Sequence, residues 1–250
     1  MCFPNTKIMG IINLNDDSFY SGSRVGDVDE FRRSADRMIR AGAAIIDIGA
    51  ISSRPGAELV GAEQEWARLE PFVEEIARNY RGISFSIDTF RASTVLMAYQ
   101  VMGRFIVNDI SAGEWDEAML PVVGRLGLRY VAMHHQGTFA TMHDRYEYGN
   151  IVDSVNEFFT RFGERAAEAG IGDWILDPGF GFSKSVEDNM TLLDNLSKFK
   201  LFRKPILVGI SRKSFIYAPA GLTPESCEAQ TRELEKKAVE AGASIIRTHL

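Results

Sequence analysis

Eight short apolar runs recur along the chain; seven end in a polar or charged residue, and the second has Ser52-Ser53-Arg54 just beyond it. They are KIMGIIN at 7–13, AIIDIG at 44–49, ISFSID at 83–88, FIVND at 105–109, YVAMHH at 130–135, WILD at 174–177, PILVGISRK at 205–213 and SIIRTH at 244–249. Continuous runs of this kind, rich in β-branched residues, are typical of strands buried on both faces of a parallel sheet. The sequence therefore predicts eight parallel strands whose polar ends lie on one side of the sheet.

Helical periodicity separates many of these runs, at 28–40, 61–79, 151–169, 185–196 and 224–241. Strands that alternate with helices predict an α/β protein, and eight such units favour a (β/α)₈ TIM barrel. In that fold the active site lies at the carboxyl ends of the strands, where the polar residues of these runs fall. We therefore interpret the chain as an enzyme.

The composition is consistent with one barrel domain over residues 1–250. The chain is 45% hydrophobic and 25% charged, as is ordinary for a globular protein. Its net charge of −6 argues against nucleic acid or an anionic membrane as a partner. We predict a cytoplasmic protein, because the start has no apolar leader and no run approaches the ~20 residues of a membrane span.

The eighth helix of the predicted barrel is missing. The last predicted strand ends at His249, and the sequence ends at Leu250. We expect this to leave the outer apolar face of the first and last strands exposed, unless another chain covers it.

Three polar residues at different strand ends form the first candidate site: Asp88, Asn108 and Asp177. A carboxylate accepts two parallel N–H groups, and an amide both donates and accepts. Together these groups are suited to a flat, nitrogen-rich ring. Any one of the Asp residues could instead cap a helix, but that explanation is weaker for three residues together.

Cations at the last two strand ends form a second candidate site. Ser211-Arg212-Lys213-Ser214 places two cations and two hydroxyls at a strand-to-helix turn suited to an anion, although a solvated basic turn has the same composition. Arg247 and His249 are two residues apart and so point to one face. With Asn13 nearby, they could hold a phosphate or diphosphate bridged by a divalent ion. We interpret His134, His135 and His143 as structural residues or as residues behind the site, because their spacing does not predict a metal site.

The motifs resemble dihydropteroate synthase, the folate-pathway enzyme family inhibited by sulfonamides. The resemblance runs from Ile8 to His249 and rests on IMGIINLNDDSF at 8–19, IIDIGAISSRPGA at 45–57, SIDTF at 86–90, IVNDIS at 106–111, MHHQGT at 133–138, LDPGFGFSK at 176–184, PILVGISRKSF at 205–215 and IIRTH at 245–249. It implies a homodimeric TIM barrel that condenses 6-hydroxymethyl-7,8-dihydropterin diphosphate with p-aminobenzoate, giving 7,8-dihydropteroate and diphosphate.

The resemblance also implies roles for individual residues. Asp88, Asp177 and Lys213 would be catalytic, with the two carboxylates stabilising developing positive charge on the pterin. The pterin slot would also contain Asn108, Ile110, Met133, Phe182 and Gly209. Diphosphate would bind Asn13, Arg247 and His249, with Mg²⁺ held by Asn13 and phosphate oxygens. The p-aminobenzoate would lie over Lys213 and Ser214, beneath loops that carry Phe19, Ser53 and Arg54.

The chain departs from the family pattern in its closing loops. Asn15-Asp16 replaces Thr-Pro, Ser21 replaces an Asp, Ile51 stands where an acidic residue is common, and Ser53 replaces Thr. Two alternatives stay open. One is a methyltetrahydrofolate–corrinoid methyltransferase-like barrel, which would not need the two anion-binding segments. The other is a catalytically inactive pterin-binding paralogue.

Overall fold

The computed structural model describes residues 6–14, 26–52, 56 and 59–250. Strands and helices alternate through these residues. The strands are β1 (Lys7–Asn13), β2 (Ile45–Gly49), β3 (Ser84–Asp88), β4 (Ile106–Asp109), β5 (Arg129–Met133), β6 (Trp174–Asp177), β7 (Leu207–Val208) and β8 (Ile245–Thr248). The helices are α1 (Val28–Arg40), α2 (Ala62–Asn79), α3 (Ala92–Met102), α4 (Met119–Leu126), α5 (Ile151–Glu168), α6 (Val186–Asp194), α7 (Ser214–Tyr217) and α8 (Glu228–Ala241), with a 3₁₀ helix at Leu196–Phe202.

All eight strands are parallel and form one sheet, in the order β6-β5-β4-β3-β2-β1-β8-β7. The two ends of this order meet at a parallel bridge between Leu176 and Ile206, where the Leu176 N–H donates to the Pro205 carbonyl at 2.9 Å. The sheet is therefore a nearly closed barrel, and the predicted fold class is confirmed.

Two layers of inward side chains occupy the barrel. The lower layer is apolar and takes one residue from each of seven strands: Met9, Ile45, Ile106, Val131, Ile175, Leu207 and Ile245. Strand side chains alternate between the two faces, so the next inward positions lie two residues further along each strand. They form the upper layer: Ile11, Asp47, Asn108, Met133, Asp177, Gly209 and Arg247. Between these two layers the barrel interior changes from apolar to charged.

The outer face of β1 and β8 is covered, so the expectation that it would be exposed was wrong. Ile12 and Ile246 are both fully buried, although no helix follows β8 among the described residues. Helix α1 packs closely enough on β1 that a Cβ at Gly10 would lie 2.7 Å from the Met38 sulfur. Leu250 packs against the same core. Neighbouring elements thus supply the cover that we had assigned to the missing helix.

Within the described residues, no helix is long and apolar enough to cross a membrane.

Candidate active site

A cavity of about 210 Å³ opens at the carboxyl ends of the strands. Every predicted site residue that the structure describes lines it: Asn13, Asp88, Asn108, Ile110, Met133, Asp177, Phe182, Gly209, Lys213, Ser214, Arg247 and His249. The remaining predicted site residues, Phe19, Ser53 and Arg54, lie outside the described residues. The parallel strands thus bring together side chains that are far apart in sequence.

Arg247 is the centre of a charged network at this end of the barrel. Its Nε donates to Asp47 Oδ2 at 2.7 Å, and its Nη2 donates to Asp88 Oδ2 at 3.1 Å. Asn108 Nδ2 donates to the same Asp47 oxygen at 3.1 Å. We call Asp47, Asp88, Asn108 and Arg247 the Arg247 network. It joins four strands, β2, β3, β4 and β8.

Asp88 has a strongly shifted acidity. Burial and the negative charge of Asp47 raise the pKa of Asp88 to about 7, whereas Arg247 opposes the shift. At neutral pH, Asp88 can therefore exchange a proton with little free-energy cost, and an arriving ligand can change its protonation state.

Asp177 ends β6 within reach of both a backbone donor and a cation. Its Oδ1 accepts the Gly179 N–H at 2.8 Å. Burial raises the pKa of Asp177, and the nearby Lys213 ammonium works against that shift. A buried carboxylate facing a cavity is an acceptor suited to paired N–H donors of a ring.

Lys213 lies at the turn between β7 and α7 and is fixed in position by aromatic neighbours. Its Nζ donates to the Phe180 carbonyl and lies 4.5 Å from the centroid of the Phe182 ring. Burial lowers the pKa of Lys213 to about 8, against the attraction of Asp177. The side chain can pass because Gly181 has no Cβ, which would lie 2.8 Å from the lysine Cδ.

A second lysine holds the loop after β6 from behind. Lys184 Nζ donates to the carbonyls of Gly179 and Phe182, each at 3.0 Å, and to that of His134 at 3.3 Å. Gly179 has a φ of +69°, and a Cβ there would lie 1.9 Å from the His134 carbonyl oxygen. Glycine is therefore required at position 179 by contact with the backbone of His134, which directly follows β5.

The predicted anion site is built from the turn after β7 and the end of β8. His249 Nδ1 and the Ser211 hydroxyl are 3.0 Å apart, and the His249 N–H donates to that hydroxyl at 3.3 Å. Burial and the adjacent Arg247 lower the pKa of His249 to about 3. His249 is therefore neutral, and the positive charge at this end of the cavity comes from Arg247, Arg212 and Lys213.

Sequence reasoning missed some residues of the site. Asp47 was overlooked because it lies inside an apolar run. Since it is two residues after the inward Ile45, the alternation of side chains along the strand would have placed it inward as well. His143 was taken for a structural residue or one behind the site, but it lines the cavity and stacks on Phe182 with centroids 5.3 Å apart. Ile51 also lines the cavity and packs against its apolar side chains, at a position where the family commonly has a charge.

Comparison with known proteins agrees with this geometry. The family model for pterin binding enzymes matches residues 9–249. The dihydropteroate synthase of Escherichia coli strain K12 is 36% identical over 244 residues, which cover 97% of this chain and 86% of that protein.

Two solved structures are similar over nearly the whole chain. The Yersinia pestis dihydropteroate synthase in a sulfonamide drug complex has a TM-score of 0.93 at 34% identity, over 98% of this chain and 89% of that one. The Xanthomonas albilineans dihydropteroate synthase with 4-aminobenzoic acid has a TM-score of 0.87 at 33% identity, over 98% and 87%. With its barrel fold, its cavity and this similarity along its length, the chain belongs to the pterin binding enzyme family.

Proposed function

We propose that the protein condenses 6-hydroxymethyl-7,8-dihydropterin diphosphate with p-aminobenzoate, giving 7,8-dihydropteroate and diphosphate. The observation that carries this proposal is that Asp88, Asn108 and Asp177 line one cavity together with Lys213 and Arg247. One set of groups accepts hydrogen bonds from a ring, and the other attracts a polyanion. The substrate presents both features in one molecule.

The reaction exchanges one bond for another at the pterin methylene carbon. The C–O bond to diphosphate breaks, the amine nitrogen forms the new C–N bond, and that nitrogen releases a proton. Arg247 and Lys213 favour departure of the anionic leaving group, while Asp177 and Asp88 stabilise positive charge that develops on the ring. These roles are electrostatic and need no residue to act as a nucleophile.

Mg²⁺ would be held mainly by the substrate. Among the described residues, no group of three or more His, Cys, Asp or Glu side chains could hold a metal ion. Asn13 lines the cavity, and its amide oxygen would suit an ion that takes its other ligands from diphosphate and water. Such an ion would neutralise charge on the departing diphosphate.

The two alternative functions predict a different result in an assay for diphosphate. The similar proteins described above are dihydropteroate synthases, which favours the synthase function over that of a corrinoid methyltransferase. A coupled assay for diphosphate, run with and without p-aminobenzoate, tests the proposal. We expect release that requires both substrates, whereas an inactive paralogue or a methyltransferase would release none.

We also propose that the protein is a homodimer located in the cytoplasm. The resemblance to the synthases supports a homodimer in the cytoplasm, and Leu201, at 61% exposure, is a large apolar side chain available to an interface. Sedimentation equilibrium tests the dimer, and a single species at the monomer mass would contradict it.

A further inference from the structure

The structure gives Asp47 a role that no resemblance assigned to it. Of the seven upper-layer residues, Ile11, Asn108, Met133, Asp177, Gly209 and Arg247 line the cavity. Among these seven residues, Asp47 does not line the cavity, and its side chain is fully buried. It therefore lies behind the surface that a ligand would touch, while it still contacts two residues of that surface.

We propose that Asp47 is a positioning residue that fixes both Asn108 on the pterin side and Arg247 on the diphosphate side of the site. The inference rests on the proposed function, because the names of the two sides come from the proposed substrate. A single carboxylate oxygen, Oδ2, makes both contacts.

On the pterin side, Asp47 determines which end of the Asn108 amide faces the ligand. An ionised carboxylate accepts hydrogen bonds and donates none. The amide nitrogen of Asn108 must therefore face Asp47, at 3.1 Å, and its carbonyl oxygen is directed away from that carboxylate. Asp47 thus favours ligands that present a donor to Asn108, and removing its charge would permit the amide to turn over.

On the diphosphate side, Asp47 holds Arg247 in place without occupying all of its donors. A guanidinium has five N–H groups in a rigid fork, so a carboxylate on one edge leaves other groups for an anion. The 2.7 Å contact from Nε fixes the plane of that fork. Asp88 is 3.1 Å from Nη2 on the same side chain, so it can yield to a competing phosphate oxygen while Asp47 retains its contact.

The experiment measures the two sides separately in the full chain. Calorimetric titration with 6-hydroxymethylpterin reports on the pterin side, and titration with inorganic diphosphate in excess Mg²⁺ reports on the other. We expect Asp47→Asn to weaken both ligands, each by about tenfold or more, since a misdirected buried hydrogen bond typically has that effect.

Combination with Arg247→Ala separates the two contacts. In that background, Asp47→Asn should no longer change diphosphate affinity, but it should still weaken the pterin through Asn108. A general loss of structure would weaken both ligands in both backgrounds, which would overturn the inference.

Ser86→Ala is the matched control. Ser86 is a fully buried polar residue on β3, directly beside Asp47 in the sheet. Its hydroxyl makes no hydrogen bond within the described residues, so its removal should leave both affinities unchanged. If Asp47→Asn does not fold, Asp47→Glu keeps the charge but displaces the carboxylate by one methylene, and it should also weaken both ligands.

Two negative results would have different meanings. Wild-type protein that binds neither probe would overturn the proposed function and this inference with it. Wild-type binding together with unchanged binding by the folded Asp47 variants would overturn this inference alone.

Discussion

The Arg247 guanidinium lies 2.7 Å from the Asp47 carboxylate, although 200 positions separate the two residues in the sequence. Their strands, β8 and β2, both pair with β1 and lie on either side of it. The ion pair therefore spans β1 inside the barrel and links the first part of the chain to the last. Since removal of one partner of a buried pair leaves an uncompensated charge, this end of the barrel depends on both residues.

Asp177→Asn should weaken pterin binding by about tenfold or more, because the amide presents a donor where the ring needs an acceptor. Titration calorimetry with 6-hydroxymethylpterin measures the change. Asp173→Asn is the control, since this exposed carboxylate pairs with Arg129 at the other end of β6. Equal affinity in the folded Asp177 variant and the parent would remove Asp177 from the pterin slot.

Lys213 and Lys184 should differ in what their loss affects. Lys213→Ala should lower turnover strongly, because its ammonium faces the cavity, and should change the melting temperature little. Lys184→Met should instead lower the melting temperature, because three backbone carbonyls lose their donor. Steady-state kinetics and thermal unfolding of both variants test the contrast. An intact turnover with a large loss of stability in Lys213→Ala would contradict it.

Acid should destabilise the protein through His135. Burial lowers the pKa of His135 to about 4 from the usual 6.5. Between these values the unfolded chain binds a proton that the folded chain excludes, so stability is lost as the pH falls from 6.5 towards 4. The contribution is about 3 kcal/mol at most, at 1.36 kcal/mol for each pKa unit. Urea unfolding should show that His135→Phe loses less stability than the parent as the pH falls from 6.5 towards 4. An equal loss in both proteins would refute the assignment.

Glu235 on α8 should act in the opposite direction. Burial raises the pKa of Glu235 to about 7 from 4.5, so the folded chain retains a proton that the unfolded chain releases. Stability is therefore lost as the pH rises from 4.5 through 7. Glu235→Gln should abolish this loss, whereas the exposed neighbour Glu233→Gln should preserve it. Urea unfolding at pH 5 and pH 8 measures the loss. An equal change in the free energy of unfolding between these pH values for the parent and Glu235→Gln would count against the prediction.

The strands could be predicted because each is a compact apolar run with polar residues at or just beyond its end, and all eight occur where the runs predicted them. Helices α3, α4 and α7 were not predicted. The sequence of α3, ASTVLMAYQVM, is apolar on most sides and lacks the stripe that marks a helix on a surface, while α7 spans four residues.

The site was predicted as far as strand ends could show it. Asp88, Asn108 and Asp177 end strands and meet in the cavity, but Asp47 lies in mid-strand, and only the alternation of side chains about the barrel reveals it. His143 could not be placed because it lies on a long connection between β5 and α5, whose path over Phe182 depends on tertiary contacts.

The layering of the barrel interior has a consequence for how the chain tolerates change. Along β2, Ile45 belongs to the lower layer and Asp47 to the upper layer. Truncation of a buried residue such as Ile45 to Ala costs about 2–5 kcal/mol of folding free energy. Substitutions two positions later are expected to change ligand affinity as well as stability. Selection for a new ligand can therefore act on the upper layer, while the lower layer, two residues earlier along each strand, preserves the scaffold.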